Sequence, residues 1–156
     1  MSKTLNGAVT LAIFVLAAFA AGAIGMWFPA SLTANAWIAP SFAPPAWVFG
    51  PVWSTLYSLM ALSIYWLVTS PVHNNKPMAI ALFTLQMVLN AMWTPVFFGA
   101  ASLSGAMVIL AAMWLAVLFY ILVTWRINKF ASSIMLPYLA WLSLAGSLNF
   151  AYLVLN

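Results

Sequence analysis

Gln86, Asn90 and Trp93 stand at i, i+4 and i+7, so a helix through them carries two amides and an indole on one face. Trp53, Tyr57 and Met60 make a second stripe of helical spacing, and Tyr138, Trp141, Ala145 and Tyr152 a third; Asn149 lies three residues before Tyr152. Amides offer donors and acceptors together, while phenols and indoles add a flat π surface with one polar handle. Such groups suit recognition of a flat, mostly apolar molecule. They suit acid–base chemistry poorly, and the rest of the composition agrees. The chain has no aspartate, glutamate or cysteine and one histidine. That excludes paired-carboxylate hydrolysis, a Ser-His-Asp triad, carboxylate-held magnesium or calcium, thiolate zinc sites and disulfides. The same residues also admit a plainer reading, in which the amides bond between helices and the aromatic stripes only pack.

The elements that position these side chains must sit in a membrane. Of 156 residues, 67% are apolar and 3% charged, far below the quarter that a water-soluble domain carries. Five apolar runs, 6–28, 46–69, 77–98, 103–125 and 131–155, are each long enough to cross a core of about 30 Å. The expected architecture is an all-α integral membrane bundle of five transmembrane helices, forming a single domain over 1–156. The first run is long and ends in Gly25, Met26, Trp27 and Phe28, without a convincing small-x-small cleavage site, so it is read as a retained helix. Residues 29–45 carry Pro29, Asn35, Pro40, Pro44 and Pro45, which forbid a continuous helix. They also hold Trp37, Ile38 and Phe42, which predicts a lid folded onto the end of the bundle. No internal repeat is apparent, which argues against an inverted-repeat transporter.

With five spans, Lys3, Lys76, Arg126 and Lys129 share one side of the membrane and no basic residue lies on the other. The positive-inside rule then directs the N-terminus to the cytoplasm. A net charge of +4 is too sparse for nucleic acid. Trp27, Trp47, Trp66 and Trp125 fall near span ends, where indoles favour the headgroup region; Trp53, Trp93, Trp114 and Trp141 lie deeper. Pro51, Pro95 and Pro137 fall inside expected spans, where each should bend its helix and help open a cavity. Ala18 with Gly22 and Ala21 with Gly25 form small-x-x-x-small pairs suited to close packing, in the bundle or between two copies. His73 reads as a loop residue remote from any pocket, so histidine-ligated haem and a bound metal are not expected.

Three blocks carry a family resemblance. They are Pro40-Ser-Phe-Ala-Pro-Pro-Ala-Trp-Val-Phe-Gly-Pro-Val-Trp-Ser-Thr-Leu-Tyr57, Leu85-Gln-Met-Val-Leu-Asn-Ala-Met-Trp-Thr-Pro-Val-Phe-Phe98 and Pro137-Tyr-Leu-Ala-Trp-Leu-Ser-Leu-Ala-Gly-Ser-Leu-Asn149. In order and spacing they resemble the TspO/MBR family of tryptophan-rich sensory proteins, which includes the mitochondrial translocator protein. The resemblance implies a five-helix bundle, often a homodimer, with a pocket beneath the 1–2 loop. It implies porphyrin, haem or a related tetrapyrrole as a non-covalent ligand, and isoquinoline or benzodiazepine drugs as further ligands. Trp53 and Trp141 align with two tryptophans implicated in light-dependent porphyrin breakdown by some relatives, Asn90 with the pocket amide and Ala145 with the pocket alanine. The chain departs from the family's W-Y-x-x-L-x-K-P loop, having Ala34 at the tyrosine position and Ala39 at the lysine position. No basic residue follows Tyr152, so cholesterol recognition by that pattern is not expected.

The leading expectation is a membrane receptor or sensor binding a tetrapyrrole among Trp53, Tyr57, Gln86, Asn90, Trp93, Tyr138, Trp141, Ala145 and Asn149. Trp37, Pro40, Phe42, Pro44 and Pro45 would form its lid. The alternatives are light-driven porphyrin breakdown with Trp53 and Trp141 as candidate catalytic groups, and passive transport of tetrapyrrole or lipid. The expected location is a bacterial inner membrane, with an outer membrane as the alternative.

Overall fold

Prolines and small polar residues mark where the helices begin. The computed structural model describes residues 2–28 and 37–156, so the expectations for Pro29, Ala34 and Asn35 fall outside the described residues. Helix α1 spans Ser2–Ala23 and passes into a 3-10 turn, Ile24–Trp27. Helix α2, Ala46–Thr69, starts where Pro45 holds the backbone extended. Helix α3, Lys76–Thr94, carries Pro77 in its first turn, where a missing N–H costs nothing. Helix α4, Leu103–Trp125, is capped by Ser102, whose side chain accepts from the Gly105 N–H at 3.2 Å. A short helix α5, Lys129–Ser133, is capped in the same way by Asn128, and α6 follows over Leu136–Leu155. No strand occurs among the described residues.

Two prolines act differently from the expectation. Pro137 does not bend a continuous fifth helix. The run breaks at Ile134 and Met135, and Pro137 opens α6 in its first turn, so the fifth crossing is α5 plus α6. Pro95 does more than kink α3. The helix ends at Thr94 and Pro95–Gly99 winds as a π turn, with the Ala100 N–H donating to the Pro95 carbonyl at 2.8 Å. Ala101 then takes φ 50°, a left-handed conformation unfavourable for a residue with a Cβ, and the chain reverses into Ser102. Pro51 does lie inside α2. On that outer face Thr55 Oγ1 donates to the Pro51 carbonyl and Ser54 Oγ to the Gly50 carbonyl, both at 2.9 Å, so neither hydroxyl is left bare to lipid.

The burial pattern is that of a membrane protein. Ser63, Gln86, Asn90, Ser132 and Asn149 are buried, whereas Val9, Ile13, Leu16, Val108, Phe119, Leu122 and Phe150 are exposed. The stretches Ala46–Thr69, Lys76–Gly99, Leu103–Trp125 and Lys129–Leu155 are long and apolar enough to cross a bilayer, and α1 contributes a shorter apolar segment, Gly7–Ala23. The chain is thus an integral membrane bundle of five crossing segments. Helix α1 packs on α2, α3 on α4, and α4 on both α5 and α6.

The two ends are fastened by different chemistry. At one end Ser63 Oγ lies 2.7 Å from Tyr120 Oη and donates to the Ala131 carbonyl at 2.7 Å, while Ser132 Oγ donates to the Ile121 carbonyl at 2.7 Å. These bonds seat α5 between α2 and α4. At the other end Trp37 packs on Phe97 and Tyr152, and the Ile38 N–H donates to Asn156 Oδ1 at 2.7 Å.

Ala18 and Gly22 face inward. A Cβ built on Gly22 would lie 2.4 Å from Cε2 of Tyr57, so the small residue is what lets that ring reach the bundle interior. The pair serves α1–α2 packing within the bundle. Ala21 and Gly25 are divided by the end of α1. Gly22→Val should therefore cost about 1–3 kcal/mol by overpacking. Equilibrium unfolding in mixed micelles checks this, and combining it with Tyr57→Leu should recover most of the loss, whereas additive losses would contradict the contact.

Candidate functional site

Three crossing segments meet through one amide. Tyr57 of α2 donates to Asn90 Oδ1 at 2.9 Å, Asn90 Nδ2 of α3 donates to Tyr138 Oη at 3.0 Å, and the Tyr138 hydroxyl donates to Met113 Sδ of α4 at 3.2 Å. Asn90 therefore uses both halves of its amide, and each hydroxyl has a partner, as burial in hydrocarbon requires. Above them Trp53 stacks on Tyr57 with ring centroids 5.3 Å apart and an interplanar angle of 30°, and meets the Tyr138 ring at 6.3 Å and 65°. The sequence stripes thus bring Trp53, Tyr57, Asn90 and Tyr138 together in one inner cluster.

The remaining candidates lie around it. Gln86, fully buried one turn before Asn90, places Nε2 3.9 Å from Met60 Sδ. Its Oε1 has no hydrogen-bond partner among the described residues. Trp93 stacks on Phe97 at 4.7 Å and 23°, with its buried Nε1 likewise unpartnered among the described residues. Asn149 donates from Nδ2 to the Leu103 carbonyl at 2.9 Å, leaving Oδ1 without a described partner. Three buried polar atoms of the candidate residues, two acceptors and one donor, thus have no hydrogen-bond partner among the described residues. Ala145 packs against the same core from α6. Trp114, the fourth deep indole, is satisfied by Ser143 Oγ at 2.9 Å.

Trp141 is not inside this cluster. It meets Phe49 edge-on at 5.8 Å and 78° and lines an open groove of about 600 Å³ between α2 and α6. Pro51, Val52, Leu56 and Leu59 form one wall, and Pro137, Ala140 and Leu144 the other. A proline stands in each wall where the two helices separate. Trp53 and Trp141 are both partly buried against the core, but their ring partners differ: Tyr57 and Tyr138 for Trp53, Phe49 for Trp141, which also lines the groove.

The described part of the lid closes one end. Trp37 lies edge-on to Phe97 at 5.0 Å and 76°, and Asn156 clamps Ile38 on both sides, accepting from its N–H and donating to its carbonyl at 3.2 Å. Pro40 is buried, and Phe42 is exposed beside a second, smaller groove of about 330 Å³ against Phe150 and Val154. Pro44 and Pro45 carry the extended chain into α2. Phe49, Phe97 and Met113 were missed from sequence. Phe49 is four residues before Trp53 and Phe97 four after Trp93, so the same stripes reach both; Met113 lies in an almost uniformly apolar helix with no such signal.

A bundle of crossing helices around an aromatic and amide core, with a clamped interhelical lid, defines a class of small integral membrane protein. The chain belongs to the TspO/MBR family, which it matches over residues 10–155. It is 34% identical to Protein CrtK of Rhodobacter capsulatus over all of this chain and 95% of that protein. It is 36% identical to the tryptophan-rich protein TspO of Archaeoglobus fulgidus, over 91% of this chain and 94% of the relative. With the human translocator protein it shares 36% identity over 71% of this chain and 67% of the other.

Two outcomes test this geometry. Asn90→Ala combined with Tyr138→Phe should give a coupling energy of about 0.6–1.7 kcal/mol in an unfolding cycle, the range of hydrogen bonds between membrane helices. Asn156→Ala should speed amide exchange at Ile38 roughly five- to tenfold, since one hydrogen bond worth about 1 kcal/mol is lost. An unchanged rate would mean that the clamp does not hold the lid.

Proposed function

We propose that this protein is a membrane receptor or sensor for a flat tetrapyrrole, which enters from the bilayer through the α2–α6 groove. The observation that carries the reading is the groove itself. Its volume of about 600 Å³ lies within the roughly 300–1,000 Å³ usual for small-molecule sites. Its lining is mainly apolar, with Thr55 the one polar side chain and one large π surface, Trp141, along it. Behind the wall formed by Val52 and Leu56, their neighbours Trp53 and Tyr57 head the inner cluster, so a ligand that parts α2 from α6 meets a second indole and the Asn90 amide. The unused acceptors on Gln86 and Asn149 and the unused Trp93 donor suit a ligand carrying both N–H groups and carbonyl or carboxylate oxygens. Similarity to proteins called a tryptophan-rich sensory protein and a translocator protein supports a role in sensing or moving a small molecule.

Binding would come mainly from dispersion and desolvation over the rings, with the amides setting orientation. No lysine stands at position 39 to pair with a ligand carboxylate, so recognition leans on neutral groups. The chain has no acidic residue to carry a coupling proton, which favours sensing over driven transport. The placement of the four basic residues supports a cytoplasmic N-terminus, and a bacterial inner membrane is our reading of the location, with an outer membrane as the alternative.

Titrating protoporphyrin IX into the detergent-solubilised protein in the dark, followed by its Soret band, tests the proposal. Trp141→Phe should weaken binding roughly two- to tenfold, the worth of one favourable ring pair of about 0.5–1.5 kcal/mol. Unchanged affinity in the Trp53→Phe, Trp141→Phe double variant would remove both rings from the site. Bleaching of the Soret band under light by the wild type, lost in that variant, would instead favour porphyrin breakdown.

A further inference from the structure

The four basic residues have no carboxylate side chain anywhere in the sequence to pair with. One of them is nonetheless occupied: Lys76 Nζ donates to the Val68 carbonyl at 3.0 Å and to the Ser70 carbonyl at 2.5 Å, closing the C-terminal end of α2. Arg126 and Lys129 are exposed and flank the turn between α4 and α5. That turn is built firmly. Asn128 Oδ1 accepts from the Ala131 N–H at 3.0 Å, and its Nδ2 donates to Ser70 Oγ at 2.9 Å, which ties the turn to the loop after α2. The Ile127 and Asn128 N–H groups both return to the Thr124 carbonyl, at 2.9 and 2.8 Å.

Aromatic side chains mark the depth of this turn, and one of them touches Lys129. Trp125 is 47% exposed, Trp66 43% and Phe130 56%. Trp66 and Phe130 meet edge-on at 5.8 Å and 83°, and Lys129 Nζ stands 5.8 Å from the centre of the Trp125 ring. Partly exposed indoles at a span end favour the headgroup layer, so Arg126 and Lys129 are held at the level of lipid phosphates. The geometry points to a site for the phosphodiester headgroup of an anionic phospholipid at the α4–α5 turn. There Arg126 and Lys129 face the phosphate, and Trp125, Trp66 and Phe130 receive the glycerol and upper acyl segments. The charge complement must come from outside the chain, and in this layer the available anion is a lipid phosphate. A net negative lipid is favoured over a zwitterionic one because no acidic side chain is present to pair with a choline or ethanolamine group.

Native mass spectrometry of the full chain released from micelles, titrated with phosphatidylglycerol or phosphatidylcholine, tests the assignment. Near a membrane surface a basic residue contributes about fivefold, so the pair should give roughly a 25-fold preference for phosphatidylglycerol, saturating at one lipid. Arg126→Gln with Lys129→Gln should abolish the preference while leaving the thermal unfolding midpoint in neutral detergent unchanged. Lys76→Gln, which removes a single charge from the same end, should keep it. Trp125→Leu, which keeps both cations, should lower it about two- to fivefold. The assignment is overturned if the double glutamine variant retains the preference, if Lys76→Gln loses it equally, or if uptake does not saturate. Displacement of the lipid by millimolar inorganic phosphate would likewise overturn it, identifying a free-anion site.

Discussion

Within hydrocarbon, water does not serve as a partner for polar side chains, and the Tyr57–Asn90–Tyr138 chain shows how far that constraint organises the molecule. One amide satisfies two phenols from two other helices, and the second phenol ends on a methionine sulfur of a fourth. The bond directions then set the rotation of α2, α3 and α6 about their axes. Once these are set, Trp53 must lie over Tyr57, Gln86 must turn toward Met60, and Ala18 and Gly22 of α1 must be small enough for the Tyr57 ring to pass. Apolar packing alone would leave those rotations loosely specified, because lipid tails are as apolar as the helix surfaces they would replace.

The constraint also accounts for the contrast between the inner cluster and the groove. Where polar groups pair, α2, α3 and α6 are linked side chain to side chain. Beside them Pro51 and Pro137 stand on facing walls of a groove between α2 and α6 whose lining is mainly ring and aliphatic, with Thr55 the one hydroxyl. Trp141 lines that groove, while Trp53 stacks on Tyr57 of the inner cluster. A bilayer-soluble ligand thus reaches the protein first where its structure is least committed.

Much of this was legible in the residues. The second and fourth crossings coincide with the runs at 46–69 and 103–125, because Pro44-Pro45, Ser70-Pro71 and Ser102 are unambiguous stops and caps. Helical spacing correctly put Trp53 with Tyr57 on one face and singled out Asn90 and Tyr138. It could not say which faces meet, and so it grouped Trp141 with Tyr138 although the two look toward different neighbours. The π turn after Thr94 escaped because periodicity does not separate one extra residue per turn from a proline kink. The split of the fifth crossing escaped because its cause is tertiary: Ser63 and Ser132 anchor α5 separately, to carbonyls and hydroxyls of other helices.

The clamp between Ile38 and Asn156 joins points 118 residues apart in the chain. Membrane helices are laid down in order as the ribosome delivers them, so the segment before α2 emerges long before α6 exists. Its backbone groups have no Asn156 to bond until the fifth crossing is in place. That end of the bundle is therefore sealed last, and an assembly intermediate with four helices inserted is open there to the lipids and small molecules of the membrane in which it is made.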